Sequence, residues 1–373
     1  MSQSAPKRPN ILVRASYALL RLGVGLAVFA YDYAFRIWFM SLIQFRLPWK
    51  RALSSPKVGR AAALEALLNQ DPAYGKHRLF EVDGNTYHCV ESGSSSGKLI
   101  LLLHGFPQCW YSWRHQLKEF GNTSDYHVVA VDLKGYGGSF KPTASDEYTP
   151  YRFAEDIEKI VRALGHDTCI LVGHDWGGII AWYCAALRPA FIEKLAIINA
   201  PHPAVMGRNI ALRNPNVSMW ESLKQLYISR YIAVIQLPWP FHTIYMTWRN
   251  YEWVRVAASD VGQAAPEDVD TYVSSFALPG VASCSSAYYR SLLKPGASID
   301  APIHVPTVVI WGNQDIALRE EVCLTGLEDI VEDLQICIID GATHFCPESS
   351  HQRVNHLLRE FIQKGNDIET SET

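Results

Sequence analysis

Apolar residues in this chain fall into short unbroken runs that alternate with stretches patterned for helix. Cys169 to Val172 is such a run, bounded by turn residues, and it predicts a fully buried strand. By the same reading strands are predicted at His77–Val82, Thr86–Glu91, Lys98–Leu103, His127–Asp132, Leu195–Ile198, Thr307–Trp311 and Leu334–Ile339. Asp83-Gly84 between the first two is a hairpin signal. Helical spacing appears over Ser112–Phe120, Gly178–Leu187, from Arg319 onward, and over His351–Gln363. It is clearest over Arg152–Leu164, where Phe153, Ile157, Ile160, Val161 and Leu164 share one face. Strands alternating with helices imply a parallel sheet covered on both faces.

The alternation stops between Pro201 and Pro302. That stretch is rich in Trp, Tyr and Arg and in helical patterns, and reads as a helical cap inserted between two parts of the core. The expected organisation is therefore core over 77–202, cap over 203–300, core again over 301–365, and a polar tail over 366–373. A basic linker with a short helix, Ala61–Leu68, occupies 46–76.

Residues 1–45 follow a different pattern. From Ile11 to Phe45 the chain is strongly apolar and aromatic, and Ala15 to Tyr33 reaches the length that spans a bilayer, with Arg21 and Asp32 inside it. Such charges cost about 3 kcal/mol each at a bilayer centre and less near its edges. We read a membrane anchor, single-pass or interfacial, and expect a membrane-associated location at the endoplasmic reticulum. Lys7, Arg8 and Arg14 precede the segment while Arg46, Lys50, Arg51, Lys57 and Arg60 follow it, so sidedness stays open. Sequons at Asn122 and Asn216 would be usable only in a luminal domain.

Composition narrows the partners. A net charge of −3 over 373 residues leaves no basic footprint for nucleic acid. The eight cysteines form no C-x-x-C pair and lie mostly in apolar runs, as small core residues do, so neither a zinc site nor a disulfide framework is supported. Eleven Trp and eighteen Tyr suit an apolar pocket with polar tips. Oligomeric state is not readable.

The chemistry centres on Gly173-His174-Asp175-Trp176-Gly177-Gly178. Glycines two residues either side of Asp175 permit a sharp strand-to-helix turn that lifts one side chain clear of the sheet. A carboxylate in that position attacks without first losing a proton. The plainer reading is an Asp capping the helix that starts at Trp176. Asp315, after strand Thr307–Trp311, and His344, after strand Leu334–Ile339, complete the order nucleophile, acid, histidine. All three follow strand ends, where open parallel sheets place their sites. His104-Gly105-Phe106-Pro107 fits a loop whose Phe106 amide, with that of Trp176, would form an oxyanion hole. No metal or organic cofactor is implied.

On His104-Gly105-Phe106-Pro107, Gly173-His174-Asp175-Trp176-Gly177-Gly178 and Gly341-Ala342-Thr343-His344-Phe345, residues 75 to 365 resemble the soluble-type epoxide hydrolases of the α/β-hydrolase superfamily. The apolar N-terminal segment is similar to that of the membrane-anchored animal branch. The resemblance implies an α/β fold, a mostly parallel eight-stranded sheet flanked by helices with an inserted helical cap. It implies two cap tyrosines that bond the epoxide oxygen: Tyr231, five residues before Gln236-Leu237-Pro238, and Tyr289, just before Arg290. Tyr227 and Tyr288 are the nearest substitutes. The expected substrates are a lipophilic epoxide, such as an epoxy fatty acid, and water. Two other readings stay open: a haloalkane-type dehalogenase, and a catalytically silent membrane-anchored binding protein.

Overall fold

Eight strands pair into one sheet in the order β1-β2-β4-β3-β5-β6-β7-β8. In this computed structural model they are β1 (Lys76–Val82), β2 (Asn85–Gly93), β3 (Lys98–Leu103), β4 (Tyr126–Val131), β5 (Cys169–His174), β6 (Ile192–Ile198), β7 (Thr307–Gly312) and β8 (Leu334–Ile339). The structure describes residues 74–236, 241–259, 264–292 and 299–364. The anchor segment 1–45, the linker helix Ala61–Leu68 and the tail 366–373 lie outside them. All the described residues fall in one compact unit, Ser55–Thr373. Among them no helix is long and apolar enough to cross a membrane.

β2 runs antiparallel to both β1 and β4, and the remaining pairings are parallel. The β1–β2 hairpin turns at Asp83 and Gly84, both at positive φ, as a two-residue turn between twisted strands requires. The central strands are buried on both faces, which is why they read as unbroken apolar runs rather than alternating ones. Leu101, Leu102 and Leu103 of β3 have no exposed surface, and each contributes about 1.5–3 kcal/mol by leaving water. Seven of the eight cysteines are buried as well, with no disulfide among the described residues.

Among the described residues the helices are α1 (Arg114–Phe120), α2 (Pro150–Ala163), α3 (Trp176–Leu187), α4 (Pro203–Ile210), α5 (Met219–Ile228), α6 (Tyr231–Ile235), α7 (Phe241–Ala258), α8 (Pro266–Phe276), α9 (Val281–Ser291), α10 (Glu320–Leu324), α11 (Cys346–Ser349) and α12 (His351–Gln363). Six of them, α4 to α9, come between β6 and β7. α2 starts two residues before the expected Arg152, because Thr149 caps it through Arg152 N at 3.3 Å and Pro150 suits a first turn. The helix expected from Ser112 divides into a 3-10 turn, Trp110–Trp113, and then α1. The helix from Arg319 ends after five residues, since Thr325 is extended and Gly326 takes a positive φ.

β3 connects to β4 on one side of the sheet, whereas β5 lies on its other side. The crevice at the carboxyl ends of β3 and β5 is thus the switch point where open α/β sheets bind ligands.

Candidate active site

β5 ends in the bend that carries Asp175. Its backbone sits at φ 50 and ψ −118, a region that costs a non-glycine residue of order 1–3 kcal/mol and persists only where surroundings enforce it. Small neighbours permit the bend. A Cβ on Gly105 would meet Asp175 Cβ at 2.5 Å, and one on Gly177 would meet the Leu103 carbonyl at 2.1 Å. The capping reading fails here, because the Asp175 side chain makes no capping hydrogen bond to α3. Its Oδ1 instead accepts the Phe106 amide at 2.7 Å, across from the end of β3.

His344 and Asp315 come in from the ends of β8 and β7. His344 Nδ1 lies 2.6 Å from Asp315 Oδ2, and its Nε2 lies 3.6 Å from Asp175 Oδ2. Asp315 Oδ1 accepts the amides of Ala317 at 2.7 Å and Leu318 at 2.9 Å. The carboxylate is therefore oriented before it meets the imidazole. Asn199, at φ 40 just past β6, completes this support by donating to Asp315 Oδ2 at 2.7 Å. Its Oδ1 accepts Gly312 N at 2.9 Å, tying the ends of β6 and β7 together. Nothing in the sequence singles out Asn199, beyond its place at a strand end.

Over Asp175 lies an aromatic roof. Tyr289 of α9, buried, packs its ring 5.0 Å from Trp176 and 5.3 Å from Phe106. Tyr231, first residue of α6 and half-buried, lies 5.8 Å from Tyr289 ring to ring. Trp253 of α7, which the sequence did not single out, faces both Phe106 at 5.1 Å and Tyr231 at 5.9 Å. The substitutes point elsewhere. Tyr288 donates its hydroxyl to the Lys134 carbonyl at 2.6 Å, and Tyr227 is exposed.

A second cluster missed in the sequence sits beside the site. Arg114 of α1 bonds Glu348 of α11, four residues past His344, and Asp268 of α8 at 2.8 Å. Gln108, from the loop that carries Phe106, donates to Glu348 Oε1, and Tyr272 of α8 donates to its Oε2. One carboxylate thus ties the Phe106 loop, the His344 loop and α8 together. Partners more than 200 residues apart in the chain leave no local pattern to find.

The charges follow from this geometry. Burial opposes the Asp175 anion, but nearby His344 and the Phe106 amide outweigh it and hold the carboxyl below the usual range. Burial also opposes charge on His344. The Asp315 carboxylate and then Asp175 outweigh that and push it up to about 10. Burial, and after it the negative charge of Asp175, raises the phenol of Tyr231. In Tyr289 burial comes first too, followed by Tyr231 and Asp175. Both tyrosines therefore hold their protons at neutral pH. The resting arrangement is an ionised carboxylate, an imidazolium beside it, and two protonated phenols within reach of its field.

Residues 98–225 match the family model described as the alpha/beta hydrolase fold. Epoxide hydrolase 4 of Mus musculus is 32% identical over 373 residues, covering 96% of this chain and 98% of that protein. Epoxide hydrolase 3 of Xenopus tropicalis is 32% identical over 329 residues, 86% of each. Among solved structures, an epoxide hydrolase of Bacillus megaterium in complex with an inhibitor is 31% identical, with a TM-score of 0.68 over 77% of this chain and all of its own.

Proposed function

This chain belongs to the epoxide hydrolases of the α/β-hydrolase fold, and on that premise we propose that it opens lipophilic epoxides to vicinal diols through an ester on Asp175. The observation that carries the reading is the Asp175 carboxylate itself. One of its oxygens is held by the Phe106 amide and the other lies 3.6 Å from His344 Nε2, while Tyr231 and Tyr289 are near enough for its charge to raise both phenols.

With Oδ1 fixed, Oδ2 is the oxygen free to attack. It forms a bond to one epoxide carbon, and the C–O bond of the ring breaks with its electron pair going to oxygen. That oxygen takes a proton from Tyr231 or Tyr289, whose raised pKa keeps the proton available. Ester formation removes the negative charge of Asp175, one of the two anions that hold His344 protonated. The imidazole pKa then falls, its proton passes to the tyrosinate left by ring opening, and His344 becomes a base when a base is needed. It takes a proton from water, and the water oxygen attacks Cγ of the ester. The developing oxyanion sits on the Phe106 amide, together with that of Trp176, each such donor contributing about 3 kcal/mol. The bond from Cγ to the alkyl oxygen breaks as that oxygen takes the proton held on His344, the diol leaves, and the carboxylate is restored with an oxygen from water, its remaining proton returning to His344.

Epoxy fatty acids suit a site lined by Phe106, Trp176, Trp253 and Tyr289, because such rings reward long apolar chains. We also keep the apolar segment Ile11 to Phe45 as a membrane anchor on the strength of its length and composition. The test is diol formation from an epoxy fatty acid and from a bulky aromatic epoxide, side by side, with Asp175→Ala as control. Turnover of the fatty compound, lost in Asp175→Ala, is expected. Turnover of the aromatic compound alone would overturn the lipid assignment.

A further inference from the structure

Helix α5 is built with its polarity reversed. Ser222 and Gln225 are 1% and 0% exposed, whereas Trp220 and Tyr227 are 64% and 65% exposed. Met219, Leu223 and Leu226 are exposed as well. At 3.6 residues per turn these five apolar and aromatic residues share an arc of about 120°. The polar face is bonded to the protein. Ser222 donates to the Asn209 carbonyl at 2.9 Å, Gln225 donates to the Ala317 carbonyl at 3.0 Å, and Gln225 Oε1 accepts Arg319 N at 2.6 Å. These bonds fix the rotation of the helix, so its outward apolar stripe is held there by three partners. Ile316, next to the bonded Ala317, is also exposed.

A stripe of this kind needs a cover. We propose that it docks on the surface of a lipid bilayer carrying anionic headgroups. Three observations select that occupant. The stripe carries Trp and Tyr, the residues that settle at the interface between headgroups and acyl chains. Its flanks are cationic: Arg213 and Arg230 are exposed, Arg230 stands 4.2 Å over the Tyr227 ring, and Lys224 stands 5.7 Å from that of Trp220. Glu221, the one acid on the helix, is already paired with Lys224 and Arg319. Finally, the same chain carries the apolar stretch Ile11 to Phe45 and the cations Arg46, Lys50, Arg51, Lys57 and Arg60 after it. Both features draw a chain to anionic lipid. α5 ends three residues before Tyr231. Docking there sets the roof of the site against the phase in which a lipophilic epoxide is dissolved. The inference rests on the epoxide reading for this last point only.

The test labels Leu223→Cys with the environment-sensitive fluorophore NBD in the full-length chain, on phosphatidylcholine–phosphatidylserine vesicles. A control label at Glu332→Cys sits before the amino end of β8, whereas α5 bonds to residues that follow the carboxyl end of the neighbouring β7. Docking predicts a blue shift at Leu223, quenched by lipids with brominated acyl chains, and no change at Glu332. A label at Leu223 that stays in water while the chain floats with the vesicles would overturn the proposal. So would a lipid-free blue shift that grows with protein concentration alongside a dimer in sedimentation, because the cover would then be a second copy. In a second arm, Trp220→Ser/Leu223→Ser is expected to raise KM about tenfold or more for an epoxide carried in vesicles. Kinetics on a water-soluble epoxide stay at the parent level. Equal loss on both substrates contradicts docking, and absence of turnover in the parent chain would count against the epoxide reading while the fluorescence still reports on docking.

Discussion

His344 Nε2 stands 3.6 Å from Asp175 Oδ2, beyond hydrogen-bonding distance, while the same ring is bonded to Asp315 at 2.6 Å. The imidazole is therefore held by the acid and leaves Oδ2 of Asp175 without a hydrogen bond from it, while Oδ1 stays on the Phe106 amide. An oxygen that accepts no hydrogen bond from His344 in the resting state is free to form a bond to carbon.

The roof tyrosines give the first prediction. On the proposed mechanism, replacing either phenol removes one proton donor for the opened ring while leaving the ring packing against Trp176 and Trp253. Tyr231→Phe and Tyr289→Phe are each expected to slow ester formation by about a hundredfold. The double variant is expected to fall further. Rapid-quench measurement of the ester in single turnover checks this, and an unchanged rate in the double variant would remove the tyrosines from the proton path.

The raised pKa of His344 has a stability consequence whose sign is fixed. A base held at about 10 rather than 6.5 stabilises the folded chain fully below pH 6.5 and loses that contribution as pH rises through 10. Asp315 is the first of the groups that raise it. The Tm advantage of the parent chain over Asp315→Asn is accordingly expected to be largest below pH 6.5 and to shrink towards pH 10. Thermal melts across that range decide it, and an advantage that grew with pH would contradict the charge assignment.

Much of this site is legible along the chain, and the reason is topological. Asp175, Asp315 and His344 each follow a strand of a parallel sheet, so one rule about strand ends brings all three to one edge. Gly105 and Gly177 are readable because their neighbours leave no room for a side chain. What stayed hidden needed contacts across the fold. Asn199 matters only because β6 and β7 lie side by side. Trp253 is one of eleven tryptophans and joins the roof through helix packing that periodicity does not encode. Tyr288 and Tyr289 are adjacent on α9, and only the bond of the former to Lys134 separates them. In the same way, the short α10 shows a local turn at Gly326 ending a pattern that reads as longer.

The Glu348 cluster yields a third prediction. Glu348→Gln removes a charge from a network in which Arg114 is nearly buried, leaving Asp268 as the carboxylate still paired with its guanidinium. Loss of one partner of a buried pair costs about 3 kcal/mol. For the unit Ser55–Thr373 that corresponds to a Tm lower by roughly 4–5 °C. Because Glu348 also holds Gln108 in the Phe106 loop, ester formation is expected to slow beyond what stability explains at temperatures where the chain is folded. Scanning calorimetry and single-turnover rates measured together separate the two effects. A variant with parent-like Tm and rate would show that the cluster is dispensable.

The central claim is that carbon becomes bonded to Asp175, and mass spectrometry on His344→Gln tests it most directly. Without the base, ring opening proceeds and hydrolysis stalls. After single turnover the account predicts a protein heavier by the mass of the epoxide, with the added mass on the peptide that contains Asp175. Diol released with no adduct on that peptide, or an adduct carried by a different residue, would contradict it.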